Sequence, residues 1–528
     1  MHALELVVLL GAVLVTAGVL AHRARAPLPV VLLVLGALIG FVPGLAQVHL
    51  PPELMLLVFL PALLFWDSIT SSVREIRFNL RGVVLTSTVL VGLTAAAVAY
   101  VAHLLGMPWG AAWVLGAALA PTDATATGVL ARLLPRRNVA ILRAESLIND
   151  GTALVLYGVA VGVTVGGLTV SAGRVAWLLV LSYVGGLLAG ASVAWLTVRV
   201  RSRAGDARLA NAVGVLTPFA SFLLAEKLGA SGVFAVVVSG LVLSQVGPRT
   251  LPAAARRQGE SFWSLGTYLL NGALFILVGV EIHSAVGHVS RVQLTSGLLT
   301  ALAVWAAILV VRIGFLFASA YTIRLVDRRP SQRLRRVSNR ARVVSTVAGF
   351  RGAVSLAAAL AVPTAVRAGG PFPSRDMVVF VTAVVVALTL IVQGVLLPPV
   401  VRWARFAPDT ASEDEHRLAE QVATRGALDA VRTVGASLGI DEAVIERTAQ
   451  EYREHLQVVE GPAAPGGDHV QQVARQYAEL RLALIAKKRQ SVLQLRDERR
   501  IDDAVLRQVQ AQLDLEELRL SPGGLHED

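Results

Sequence analysis

Apolar runs separated by short polar breaks fill residues 1–405, and this alternation limits what the chain can fold into. Crossing ~30 Å of hydrocarbon takes about 20 helical residues, and runs of that length read as membrane-spanning helices. Spans are predicted near residues 3–21, 28–43, 53–70, 80–104, 110–132, 140–167, 174–199, 208–227, 230–246, 259–283, 293–323, 342–366 and 375–403. That makes thirteen. The second is short and the break after Lys227 is brief, so twelve or fourteen also fit. Only 16% of residues are charged, against about 25% in a soluble domain, so a soluble reading is excluded. Cysteine is absent, which excludes disulfides, iron–sulfur clusters and thiolate metal sites.

The net charge of +12 divides unevenly. Residues 1–405 hold 33 basic and 13 acidic residues, a net +20, and residues 406–528 hold 15 and 23, a net −8. The surplus is not a basic low-complexity arm, so nucleic acid is not an expected partner. Most arginines fall in alternate loops: Arg23 and Arg25; Arg74, Arg77 and Arg81; Arg132, Arg136 and Arg137; Arg199, Arg201, Arg203 and Arg208; Arg249, Arg256 and Arg257; the run from Arg324 to Arg342; Arg402 and Arg405. The positive-inside rule assigns those loops to the cytoplasm. An odd number of spans then leaves the N-terminus outside and the tail inside. The first span has Arg23 and Arg25 after it and no basic residue before it, the reverse of a signal peptide, so it reads as a retained span.

A few polar residues sit within the apolar runs, where a charge costs roughly 2.5–3.5 kcal/mol. The densest group is in the sixth span. Glu145 and Asn149 are four apart, as are Ser146 and Asp150, so they form two adjacent stripes on one helix. Oxygen ligands without sulfur or imidazole suit hard cations. The plain alternative is a helix-end cluster in water. The fifth span carries Pro121-Thr122-Asp123, where proline interrupts a helix whose freed carbonyls and neighbouring carboxylate face protein or a water-filled cavity; here the alternative is an ordinary proline kink capped by Asp123. The twelfth carries Gly349-Phe-Arg351-Gly352. Arg351, and Arg312 in the eleventh span, need an anion or carbonyl partner, unless Arg312 snorkels to the interface. Splitting thirteen spans as six, one and six pairs the fifth with the twelfth. Interruptions at corresponding places in two halves mark an inverted-repeat secondary transporter.

These residues give the chain a resemblance to the monovalent cation:proton antiporter family, in its sodium/proton exchanger branch. The matching strings are Phe59-Leu-Pro-Ala-Leu-Leu-Phe65, Ala120-Pro-Thr-Asp-Ala-Thr125, Glu145-Ser-Leu-Ile-Asn-Asp-Gly151, Ser231-Gly-Val-Phe-Ala-Val-Val-Val-Ser-Gly240, Leu274-Phe-Ile-Leu-Val-Gly279 and Gly349-Phe-Arg-Gly-Ala-Val-Ser355. The resemblance implies an all-α polytopic membrane protein of about thirteen transmembrane helices in two six-helix inverted repeats, with two interrupted helices that cross. It implies that Asp150 holds either a cation or a proton, and that Glu145, Ser146 and the backbone of Thr122 help ligate Na+. Asn149 would steady the unwound segment at Thr122, Arg312 would pair with Glu145, and Asp123 and Arg351 would offset helix dipoles at the crossing. It implies a homodimer in the cell membrane, with no enzymatic reaction and no resident cofactor; Na+ (or Li+ or K+) and H+ are cargo.

Asp67 departs from the family pattern. The electrogenic branch carries an aspartate where this chain has Asn149, so the expected exchange is electroneutral, one Na+ for one H+. K+/H+ exchange is the alternative within transport. A cation channel and an intramembrane aspartyl protease using Asp123 and Asp150 are the alternatives of other classes.

The tail, residues 406–528, reads as a cytoplasmic helical domain with a helix over 441–459, a linker at 461–467 and a long helix from His469. Val473, Tyr477, Leu480 and Leu484 form one apolar stripe, and Ile501, Val505, Val509 and Leu513 a second. A self-packed hairpin or coiled coil is the plain reading, and a regulatory or dimer contact the sharper one.

Overall fold

The structure, a computed structural model, describes residues 2–24, 26–41, 55–123, 134–166, 171–287, 291–326, 337–367, 369–406, 411–460, 467–498, 500 and 503–520. Arg25, Thr125, the arginines of 327–336, the linker residues 461–466 and Ile501 lie outside them. The described residues are helical, with one isolated bridge between Ala365 and Pro371. They divide into two units, residues 1–408 and 409–528.

In the first unit, α1 (His2–Ala24), α2 (Leu28–Ile39), α3 (Leu57–Thr70), a short α4 (Val73–Phe78) and α5 (Leu80–Leu104) are followed by α6 (Trp109–Leu119) and α7 (Arg136–Thr164). Then come α8 (Ala172–Arg201), α9 (Ala207–Lys227), α10 (Gly232–Thr250), α11 (Ala253–Gly287) and α12 (Arg291–Val326). The short α13 (Asn339–Val347) and α14 (Ala353–Leu360) precede α15 (Arg375–Ala404). Each expected span has a helix. Among the described residues nine helices are long and apolar enough to cross a membrane, and α2, α3 and α6 are shorter apolar helices. Large apolar side chains such as Trp177, Leu188, Leu216 and Val310 are exposed, which suits helices solvated by hydrocarbon.

The two interruptions fall in the fifth and twelfth spans. α6 stops at Leu119 because Pro121 has no N–H to continue the ladder. The chain from Ala120 to Asp123 is not helical, so the plain proline kink gives way to a break. α13 and α14 are separated by Ala348–Gly352, and Asp123 N–H donates to Phe350 O at 2.9 Å. The two breaks therefore touch. α7 runs beside them and joins apolar clusters on two sides: Leu142 packs with Phe350 and Val386, and Leu147 with Phe65 and Val237.

The second unit contains α16 (Ala411–Ser437), α17 (Glu442–Glu460), α18 (Gly467–Asp497) and α19 (Asp503–Leu520), which pair as two helical hairpins. In α18 the expected stripe does not face the partner. Tyr477, Leu480 and Leu484 are exposed, while Ile485 is buried along with Leu506 and Leu513 of α19. Ion pairs from Arg481, Lys488 and Arg489 to Asp514, Glu516 and Glu517 hold the hairpin on that neighbouring face. In the other hairpin Arg453 and Arg432 bond Glu446 and hold its carboxyl below the usual glutamate range. That contribution is present at neutral pH and is lost as pH falls through the lowered value.

Candidate functional site

The polar residues of α7 are buried in the protein interior, which rules out the water-bathed helix end. Glu145, Ser146, Asn149 and Asp150 are 3%, 6%, 1% and 4% exposed. Three hydrogen bonds tie this face of α7 to the break after α6. Ser146 Oγ donates to Thr122 O (2.7 Å), Asn149 Nδ2 donates to Thr122 Oγ1 (2.7 Å), and Thr122 Oγ1 donates to Glu145 Oε1 (3.5 Å). Arg312 of α12 completes the set, donating to Glu145 Oε1 at 2.5 Å and to Ser345 O at 3.0 Å. Arg312 is 1% exposed and does not snorkel.

Asp150 is treated differently. Among the described residues nothing hydrogen-bonds or ion-pairs with it, and the charges that act on it are those of Asp123 and Asp67. Asp67 in turn feels Arg143 and Asp123. The amide oxygen Oδ1 of Asn149 is also buried without a donor. One helix thus carries a neutralised carboxylate and, one turn further on, a carboxylate with no counter-charge. A hydroxyl that donates to a carbonyl, as Ser146 does, still has an oxygen able to accept or to ligate.

At the crossing, Arg351 is 1% exposed and serves the carbonyl ends of two half-helices: Leu119 O (3.0 Å) and Ala120 O (3.5 Å) of the first interruption, and Gly349 O (2.7 Å) of the second. The C-terminal end of a helix carries partial negative charge, so a guanidinium is favoured there. Asp123 lies at the N-terminal end of α14, against Gly352. The glycines of this string follow from those contacts. A Cβ on Gly349 would meet Arg312 Nε at 2.6 Å, and one on Gly352 would collide with the Asp123 carboxylate. Gly352→Ala and Gly349→Ala are therefore expected to destabilise the protein by about 1–3 kcal/mol as overpacked sites do. Gly314→Ala in α12, where a Cβ meets nothing within 4 Å, is expected to be neutral or stabilising. Thermal melting of the detergent-solubilised protein compares the three.

Several participants were not singled out from the sequence. Ser87 in α5 donates to Glu145 O (3.2 Å), and Thr152 of α7 donates to Ser87 O (2.6 Å) and hydrogen-bonds to the Tyr183 hydroxyl. Thr389 Oγ1 donates to Val386 O on its own helix (2.8 Å) and accepts from the Arg351 N–H (3.3 Å). A hydroxyl in an apolar run is a weak signal, because it normally satisfies itself on its own helix.

The transmembrane model of the sodium/hydrogen exchanger family matches residues 9–403. The chain belongs to this family. An uncharacterised Na+/H+ exchanger of Mycobacterium tuberculosis is 44% identical over 98% of this exchanger and 96% of its own length. A Bacillus pumilus protein named as a sodium, potassium, lithium and rubidium/H+ antiporter is 29% identical, over 90% of this exchanger and 72% of its own length. The sodium–proton antiporter MjNhaP1 from Methanocaldococcus jannaschii shares the fold, with a TM-score of 0.58 at 18% identity, over 76% of the exchanger and 99% of the solved chain. The exchanger is a transporter and not an enzyme, so the protease alternative falls.

Proposed function

We propose that this exchanger moves Na+, or Li+, against H+ across the cell membrane, one for one, by alternating access. The observation that carries the reading is the contrast between two buried carboxylates on α7. Glu145 has Arg312 at 2.5 Å, and Asp150 has no partner among the described residues. A buried charge without a partner is costly, so a carboxylate in that setting is neutralised by a proton or a cation. Asp150 takes one or the other, never both. Glu145, paired with Arg312, lends field and an oxygen to the cation. Ser146 Oγ and the Thr122 carbonyl complete the oxygen set. Asn149 holds Thr122, and Asp123 with Arg351 offsets the charged helix ends at the crossing.

Each half-cycle then moves α7 and its neighbours with Asp150 neutral, and no net charge crosses. Asn149 cannot add a second proton. The membrane part is residues 1–405, with the N-terminus outside and the tail, 406–528, in the cytoplasm, and the protein works as a homodimer in the bilayer. The family description names sodium, which favours Na+ over K+.

The test is proton flux in proteoliposomes driven by opposing gradients of Na+, Li+ or K+. Na+ and Li+ are expected to drive flux whose rate is unchanged when the membrane potential is clamped at zero with valinomycin and K+. A rate that follows the clamp would show charge movement, and flux with K+ alone would reassign the cation.

A further inference from the structure

We propose that a cavity between α5, α7, α12 and α13 holds one acyl chain of an anionic lipid, with its head group against Arg81 and Arg342. The cavity has a volume of about 220 Å3. Ligand pockets for drug-sized molecules run to roughly 300–1,000 Å3, so this one suits a single chain segment. Its apolar walls are Val83 of α5, Ile141 and Leu142 of α7, and Phe315, Leu316 and Ile323 of α12. On α12 these wall positions recur at helical spacing and present one face.

The wall and rim carry two arginines. Arg342 is 5% exposed, held by Asn339 Oδ1 (2.7 Å) and Val337 O (3.1 Å) and stacked near Phe317 and Tyr321. Arg81 is exposed. Two guanidiniums repel the cation cargo, so the cavity is a poor path for Na+, although Glu145 lies at its inner end. The same field attracts a carboxylate or phosphate.

Beside the rim, Leu80 and Val84 are 48% and 43% exposed. The mouth therefore borders hydrocarbon as well as water, which favours a lipid over a free anion. The arginine count assigns this end of the helices to the cytoplasmic leaflet. A chain in the cavity would keep water from the Glu145–Arg312 pair on that side.

The test uses the full chain in phosphatidylcholine nanodiscs, with palmitate bearing a diazirine as probe and mass spectrometry as readout. Photolabel is expected on peptides of α5, α7 and α12, displaced by phosphatidylglycerol but not by added phosphatidylcholine. Gly82 lines the cavity, and a Cβ there meets nothing within 4 Å. Gly82→Leu, which adds bulk where a Cβ has open space, is expected to lower labelling about tenfold. Arg81→Gln is expected to weaken competition by phosphatidylglycerol. Labelling indifferent to Gly82→Leu, or displaced equally by phosphatidylcholine, overturns the proposal, and displacement by inorganic phosphate alone reassigns the site to a free anion. The readout needs no transport, so its failure leaves the exchange reading untouched.

Discussion

Asp150→Asn is expected to abolish Na+-driven proton flux while leaving the protein as stable as before, or more so. Asparagine keeps the shape of the side chain and removes its charge. It can bind neither a proton nor a cation in exchange for the other, so the coupled rate falls by about 100-fold or more. Stability moves the other way. Asp150 is 4% exposed with no counter-charge among the described residues, and removing such a charge removes a desolvation cost. Flux in proteoliposomes together with melting in detergent reads both halves. A variant that still exchanges would contradict the role of Asp150. A variant that loses both flux and melting would show instead that Asp150 is structural.

Glu145→Gln is expected to behave in the opposite way, although the two carboxylates are five residues apart on one helix. Arg312 is 1% exposed, and its bonds are to Glu145 and to Ser345 O, with Nη2 unpartnered among the described residues. Neutralising Glu145 leaves a buried guanidinium without its anion, a change that costs about 3–5 kcal/mol when a buried pair is broken. Arg312→Met should cost a similar amount, for the mirror reason. The double variant Glu145→Gln/Arg312→Met leaves neither charge and should melt well above either single variant, because replacing a whole buried pair by neutral groups is often near neutral. It should still fail to transport, since Glu145 also faces the proposed cation. Thermal melting of the four proteins, read as a double-mutant cycle, measures the coupling.

The sequence made the spans legible through apolar run length alone, and the interruptions through Pro121 and the Gly349–Gly352 string. Glu145, Asn149, Asp150, Arg312 and Arg351 stood out because hydrocarbon tolerates them only with a reason. The bonds made by Ser87 were not legible. Its neighbours Thr86 and Thr88 bond to Gly82 O and Val84 O on their own helix. Ser87 lies between them in a wider, π-helical turn, Thr86–Leu90, and reaches Glu145 O instead. No residue type marks such a turn.

The face of α18 that pairs with α19 differs from its apolar stripe for a different reason. Hydrophobic spacing picked Tyr477, Leu480 and Leu484, whereas the hairpin follows Ile485 and the ion pairs of Arg481 and Arg489. In a short polar hairpin, charge pairing between helices competes with apolar periodicity.

Competition between H+ and Na+ for one carboxylate is best read from initial exchange rates over a range of pH. If Asp150 alone carries both ions, the Na+ concentration for half-maximal rate rises about tenfold for each unit of pH on the acid side, and the maximal rate stays constant. A maximal rate that falls with acid while the half-saturating Na+ concentration holds steady would place proton control at a second site and contradict the single-carboxylate account.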